Sequence, residues 1–311
     1  MAIITDIIFF AFSLACLAGA SFFLVRSLLK IGSFLRLKEF SVAFIIMSIG
    51  TSLPELSIGI SSALENNPII SLGNVLGSNI VDLTLILGIA LLLARSVKIK
   101  SRDIKRDIWY VLPIAALPIV LLFDSQLGKL DGVILIAVFL VYMFKLFSER
   151  KKEDSGVKNR VSNWEAFGYT LLFVIALFGL IFSAELTVRY GALLAKELGI
   201  SEFLLALILI AVGTSIPELA FGSSAALQKH GELAVGDMLG AIVVNSTLVL
   251  GVTAFISPIY TAISSIVIPI SFMLLSIFIF LTFAQSAKKL SWLIGICLIF
   301  LYVFFLILQI L

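Results

Sequence analysis

Charge is scarce in this chain. Asp, Glu, Lys and Arg make up 13% of its 311 residues, about half of the roughly 25% typical of a soluble domain. So little polar material cannot cover a soluble globule. With 61% hydrophobic residues and a mean hydropathy of +1.18, the composition points to an all-α bundle whose solvent is the lipid bilayer. Histidine is almost missing: His230 is the only one, and it falls in a polar stretch between apolar runs. A Ser–His dyad within the membrane is thereby excluded, and zinc, copper or nickel would find no imidazole in the apolar segments. Cysteine is limited to Cys16 and Cys297. Each lies inside an apolar run and reads as a small core or lipid-facing residue, not half of a disulfide or a metal pair. The basic residues form no single concentrated face, so nucleic acid is not an expected partner. No basic residue precedes the first apolar run after Met1–Asp6, and the first helix is read as a retained span, not a cleaved signal.

What is abundant is long apolar sequence. A helix needs about 20 apolar residues to cross the hydrocarbon. That template fits ten spans: 5–27, 38–64, 69–94, 107–123, 130–148, 164–184, 201–228, 233–256, 260–284 and 290–310. Pro113 and Pro118 are expected to kink the fourth. Lys and Arg are sorted between the loops. All but Lys129, Arg189 and Lys196 of the 22 fall on one side of this scheme, which marks the cytoplasm and sets both termini outside. The chain then reads as a multi-pass protein of the cell membrane.

The sequence also matches itself. At an offset of 163 residues, segment 38–88 lies on 201–251 without a gap. Gly50-Thr51-Ser52-Leu53-Pro54-Glu55-Leu56 falls on Gly213-Thr214-Ser215-Ile216-Pro217-Glu218-Leu219, and Gly73, Gly77 and Gly88 fall on Gly236, Gly240 and Gly251. Each half holds five spans. An odd number makes equivalent helices cross the membrane in opposite directions, so the halves form two inverted five-helix repeats, the plan of many secondary transporters. The expected division is 1–148 for the first repeat, 149–163 for a cytoplasmic linker and 164–311 for the second repeat.

Chemistry concentrates in the repeated motif. Glu55 and Glu218 both fall in mid-span, where a carboxylate is costly and marks a functional site. Pro54 and Pro217 withhold a backbone donor just before each glutamate. Thr51 and Thr214 lie four residues before their glutamates, and Ser52 and Ser215 three before, spacings that share a helix face. In the following helix Asn74, Ser78 and Asp82 recur at i, i+4 and i+8, with Asp237, Ala241 and Asn245 as counterparts. Three acids, Glu55, Glu218 and Asp82, are expected to converge. Asp237, nearer its helix start, reads equally as a vestibule or capping residue. These are hard oxygen donors, suited to Ca²⁺, Na⁺ and similar ions. Glu185 is expected at the interface, at the end of a span.

Gly-Thr-Ser-Leu-Pro-Glu at 50–55, Gly-Thr-Ser-Ile-Pro-Glu at 213–218 and Gly-Asn-Val-Leu-Gly-Ser-Asn at 73–79 resemble the α-repeats of the cation/Ca²⁺ antiporter superfamily, nearest to prokaryotic sodium/calcium exchangers. The resemblance implies Ca²⁺ export driven by inward Na⁺ through alternating access. It implies that Glu55, Glu218, Thr51 and Thr214 bind Ca²⁺. Sodium would use the same glutamates with Ser52, Ser78 and Ser215 and the carbonyls of Ser48 and Ala211. It further implies that spans 1 and 6, long and tilted, move against the rest. Two departures stand out. Asp82 and Asn245 are exchanged relative to the family pattern, and Ala241 replaces a serine expected to ligate sodium.

No cofactor and no enzymatic activity are expected; the bilayer, Ca²⁺ and Na⁺ are the partners, and a monomer suffices. The alternative is exchange of H⁺ for Ca²⁺ or another divalent cation. An intramembrane aspartyl protease pairing Asp82 with Asp237 would leave the repeated glutamates unexplained. A passive channel would lack coupling to a counter-ion.

Overall fold

The computed structural model describes residues 2–34, 48–97, 102–150, 162–228, 230–286 and 289–310. The first part of the expected second span, most of the 149–163 linker and several basic loop residues, among them Arg36, Lys38, Lys98 and Lys100, lie outside them.

Helices α1 (Ala2–Phe34) and α7 (Asn163–Leu198) are the longest. Between them come α2 (Leu53–Leu64), α3 (Ile69–Val81), α4 (Leu87–Ala94), α5 (Arg102–Leu121) and α6 (Lys129–Arg150). After them come α8 (Glu202–Leu205), α9 (Ala211–Thr214), α10 (Ile216–Leu227), α11 (Gly231–Val243), α12 (Leu250–Ile256), α13 (Ile263–Ser286) and α14 (Trp292–Ile310). Helices α1 and α7 outrun the expected spans 1 and 6. Hydropathy falls where charge begins, at Arg26 and at Glu185, yet both helices continue for turns beyond. Glu185 is exposed in the body of α7, not at its end.

Six helices are long and apolar enough to cross a membrane, or seven with the bent pair Glu202–Thr214 and Ile216–Leu227, among the described residues. Large side chains such as Phe144, Phe178 and Phe300 face outward, each more than two-thirds exposed, as a lipid-facing shell requires. This is a multi-pass membrane protein. The interior is built from the helical runs 69–94 and 231–256, whose apolar windows are 83% and 78% buried, against 33% for α1 and α7. The two long helices pack on each other and share a separate apolar cluster with Ile58, Ile70, Leu205 and Ile210.

Lipid is as apolar as leucine, so helices in a membrane associate by close packing, and small residues permit it. A Cβ on Gly73 would lie 2.5 Å from the Phe203 carbonyl oxygen, and one on Gly77 would overlap the Leu207 carbonyl. Both glycines therefore bring α3 onto the 202–211 segment, backbone to backbone.

The 163-residue offset is visible in the backbone. α2 and α10 begin and end at equivalent positions. A π-helical stretch follows α3 at Asp82–Ile86 and another follows α11 at Val244–Val249. Two-residue strands tie the ends together: β1 (Ser96–Val97) pairs antiparallel with β4 (Leu290–Ser291), and β2 (Gln126–Leu127) with β3 (Ile259–Tyr260). Gly88 faces Gly295 and Gly132 faces Gly251 in the same way. The cysteines are both exposed on apolar helices, and His230 is exposed just before α11.

Candidate functional site

Two helix breaks organise the centre. Pro54 and Pro217 cannot donate to the carbonyls four residues back, those of Gly50 and Gly213. At Ser52 the chain leaves helical geometry (φ −82°, ψ 5°) and restarts as α2; at Ser215 it does the same (φ −83°, ψ 6°) and restarts as α10. The second break bends its helix pair by 42°. Each break holds a glutamate in the first turn of the restarted helix, where the helix N-terminus favours negative charge.

Around the breaks lies a buried field of oxygen atoms. Glu55, Thr51, Ser52, Ser78 and Thr214 are fully buried, and Ser48, Ser215, Glu218, Asp82, Asn245 and Asp237 nearly so. The halves are stitched together here. The Ser78 hydroxyl donates to Glu55 Oε1 at 3.3 Å. Thr214 Oγ1 lies 3.1 Å from Asn74 Oδ1, 3.2 Å from the Ala211 carbonyl and 3.2 Å from Ser78 Oγ. A hydroxyl has one proton, so this cluster has more acceptors than donors. Glu55 Oε2, both carboxyl oxygens of Glu218, both of Asp82, and the hydroxyls of Ser48, Ser52 and Ser215 have no hydrogen-bond partner. An unpaired buried polar group costs about 1–3 kcal/mol, more when charged. A desolvated cation would satisfy many of these oxygens at once.

Of the residues expected from the sequence, Glu55, Ser78 and Thr214 meet directly across the halves. Glu218 stands within Coulombic reach of Glu55, Asp82 and Asp237. Yet among the described residues no three His, Cys, Asp or Glu side chains converge closely enough to hold one metal ion together. An ion here would be held by one or two carboxylates completed by hydroxyl, amide and carbonyl oxygens. The Ala211 carbonyl is placed at the cluster but already accepts the Ser215 N–H at 3.1 Å and the Thr214 hydroxyl at 3.2 Å.

Asp82 and Asn245 are equivalent in sequence but not in surroundings. The Asn245 amide donates to Asn79 Oδ1 at 3.3 Å, and the Asn79 amide donates to Ser246 Oγ at 3.0 Å. The Asn245 amide nitrogen is thus a strut between the halves, while its own Oδ1, like both Asp82 carboxyl oxygens, has no close hydrogen bond.

Asn74 and Asp237 complete the site, and sequence reasoning undervalues them. Asp237 is 2% exposed, in the interior of α11 and not in a vestibule. It accepts a long hydrogen bond, 3.5 Å, from the Thr51 hydroxyl. The repeat holds the signal: Thr51 with Asp237 is the counterpart of Thr214 with Asn74.

A cleft of about 780 Å³ opens at the end of α2 and the start of α8, lined by Glu65, Arg189, Lys196, Glu202 and apolar neighbours. The Asn67 amide donates to Glu202 at 2.6 Å across one edge.

Known proteins are similar to this chain. The chain is 28% identical to the sodium/calcium exchanger MaX1 of Methanosarcina acetivorans over an alignment of 335 positions, covering 94% of this chain and 95% of that protein. It is 32% identical to the inner membrane protein YrbG of Escherichia coli over 226 residues, 70% of this chain and 69% of that protein. Its fold matches the sodium-calcium exchanger NCX_Mj soaked with 10 mM Na⁺ and zero Ca²⁺, with a TM-score of 0.69 at 24% identity, over 97% of this chain and 98% of that one. The family described as sodium/calcium exchanger protein matches residues 5–147 and 168–311, which include both broken helices and both helices packed against them, and the chain belongs to that family.

Proposed function

We propose that the protein is a secondary active antiporter that exchanges Ca²⁺ for Na⁺ by alternating access at the buried oxygen cluster. The observation that carries this reading is the shortage of protons around it. Glu55 and Glu218, each at a helix break, keep oxygens with no donor, and the single Thr214 proton faces three acceptors. In this reading Glu55 and Glu218 are the central ligands of Ca²⁺ with Thr51 and Thr214. Na⁺ takes the same carboxylates in turn with Ser52, Ser78, Ser215 and the carbonyls of Ser48 and Ala211. Asp82 supplies the third negative charge, and Asn245 braces the site. Because Ca²⁺ and Na⁺ take the same two glutamates in turn, the two cargoes compete.

The same reading has ten spans in two inverted repeats, 1–148 and 164–311, joined by the 149–163 linker. The strand pairs fit it. β1 and β3 are offset by 163 residues, yet each pairs with the counterpart of the other's partner, as expected of equivalent loops on opposite membrane faces. With Lys and Arg inside, both termini lie outside in the cell membrane. The large cleft then opens outward, and α1 with α7, joined by their own apolar cluster, forms the part that moves. Exchange for H⁺ is the second reading, favoured by Ala241, which leaves one hydroxyl fewer in the second repeat.

Ca²⁺ uptake into proteoliposomes under an outward Na⁺ gradient, or separately under an outward proton gradient, tests both. Uptake driven by Na⁺ alone, and lost in Glu55→Gln and Glu218→Gln, is the expected result. Uptake driven only by protons transfers the site to the second reading. Uncoupled flux overturns both.

A further inference from the structure

The two halves place the same threonine contact on different chemistry. In one, the Thr214 hydroxyl meets the Asn74 amide oxygen at 3.1 Å; in the other, the Thr51 hydroxyl meets the Asp237 carboxylate at 3.5 Å. Asp237 is 2% exposed and has no Lys, Arg or His partner among the described residues. A buried carboxylate with one long hydrogen bond is unfavourable unless a positive charge accompanies it.

A second observation points to a ligand. Glu218, 1% exposed, has both carboxyl oxygens without a hydrogen-bond partner, and it lies within Coulombic reach of Asp237. Asp237 and the two partnerless Glu218 oxygens are thus buried with no basic side chain beside them among the described residues, an incomplete set of hard oxygens with the Thr51 hydroxyl on Asp237. One helical turn further along the same face, Ala241 stands where the first half has Ser78, the hydroxyl that bonds both Glu55 and Thr214. The second half has thus lost a neutral oxygen at 241 and carries a charged one at 237, a shift of one turn along α11 toward the 228–231 connection.

We propose that Asp237, with the Thr51 hydroxyl and one oxygen of Glu218, holds a monovalent cation one helical turn from the position emptied by Ala241. This rests on the exchange reading, because it adds one cation to the set that the antiporter carries. A monovalent ion suits the site: Asp237 adds one negative charge where the first half has the neutral Asn74, and one monovalent ion balances it.

The experiment counts bound cations apart from transport. The purified full chain is titrated with Na⁺, and separately with K⁺, in Ca²⁺-free detergent solution, and the number bound at saturation is read by equilibrium dialysis with radiolabelled cation. Asp237→Asn, which copies the amide at Asn74, is expected to bind one cation fewer. Asp237→Ser serves if the amide variant does not fold, with the same loss expected, and Asp237→Glu is expected to keep the full count. An unchanged count in a folded Asn or Ser variant overturns the proposal, as does a saturable site that takes no monovalent ion in the unaltered chain. Failure of Na⁺-driven Ca²⁺ uptake with the count dependent on Asp237 would overturn the exchange reading and leave this site standing.

Discussion

The helices Ile69–Val81 and Gly231–Val243 occupy equivalent places in the two halves, and their difference is instructive. Their backbones agree: thirteen residues each, followed by a π-helical stretch. Their buried faces do not. Asn74, Ser78, Asn79 and Asp82 stand opposite Asp237, Ala241, Ile242 and Asn245. The scaffold keeps its twofold character because glycine packing and proline breaks fix the backbone. The buried polar residues differ, with carboxyls at 82 and 237 set against amides at 245 and 74.

The largest effect should come where the halves are still alike. Glu55→Gln and Glu218→Gln each remove a charge at a helix break, and each is expected to reduce Na⁺-driven Ca²⁺ uptake in proteoliposomes to the level of empty vesicles. Retained uptake in either variant would break the equivalence of the two breaks and assign the cargo to one half.

Where the halves differ, the effects should differ in kind. Asp82→Asn neutralises a buried carboxyl that has the Ser215 hydroxyl near it but no close hydrogen bond. It should slow Ca²⁺ uptake severalfold and leave the thermal midpoint nearly unchanged. Asn245→Asp instead replaces the amide that donates to Asn79 Oδ1. Two acceptors would then face each other, at a cost of about 1–3 kcal/mol, read as a lower midpoint. The double exchange, which restores the number of acids, should therefore not restore stability. If it does, the Asn79 strut carries little weight and the two positions are interchangeable.

The shared scaffold makes a sharper comparison. A Cβ on Gly88 would lie 2.8 Å from the Gly295 oxygen, and one on Gly251 would lie 3.0 Å from the Gly132 oxygen. Backbone atoms cannot swing aside, so Gly88→Ala and Gly251→Ala should each cost about 1–3 kcal/mol, equal within error in thermal unfolding. Unequal costs would mean that the halves are less alike in packing than in backbone course.

Much of this is legible in the amino-acid sequence. Composition requires a membrane bundle, and the breaks at Ser52 and Ser215 follow from Pro54 and Pro217, because a missing N–H acts locally. The site's acids are visible because a mid-span carboxylate stands out against an apolar background. What is not legible depends on tertiary contact. The length of α7 escapes a hydropathy reading because hydropathy reports the membrane's edge, not the helix's, and nothing at Glu185 or Arg189 stops a helix. Asp237 is undervalued because it comes early in its helix; its burial arises from the fold bringing Thr51 onto it. The Asn245 strut needs Asn79, which has Ile242 as its own counterpart, so the repeat gives no hint of it. The π-helical stretches leave no local mark that periodicity detects.

The smallest expected effect lies at the cleft. Glu65 and Gln228 end α2 and α10 in nearly the same backbone geometry (φ −82°, ψ 9° and φ −80°, ψ 9°), so an acid at one end has an amide for its counterpart. Partial burial and the nearby Glu185 charge raise the Glu65 pKa from 4.5, and Arg189 opposes them. A carboxyl whose folded pKa is raised holds its proton more tightly in the folded chain. Its contribution to stability is therefore present at low pH and fades as pH rises from about 4.5 through the raised value. Because the side chain is largely solvated, the contribution should not exceed a few tenths of a kcal/mol. Arg189→Gln removes the opposing charge and should move the Glu65 titration further up, followed by carbon-13 NMR of labelled glutamate. Glu65→Gln makes the two helix ends chemically alike and should abolish that part of the pH dependence of unfolding. A Glu65 titration that stays in place in Arg189→Gln would show that solvent in the cleft screens Arg189 from it, and that this asymmetry between the halves is electrostatically silent.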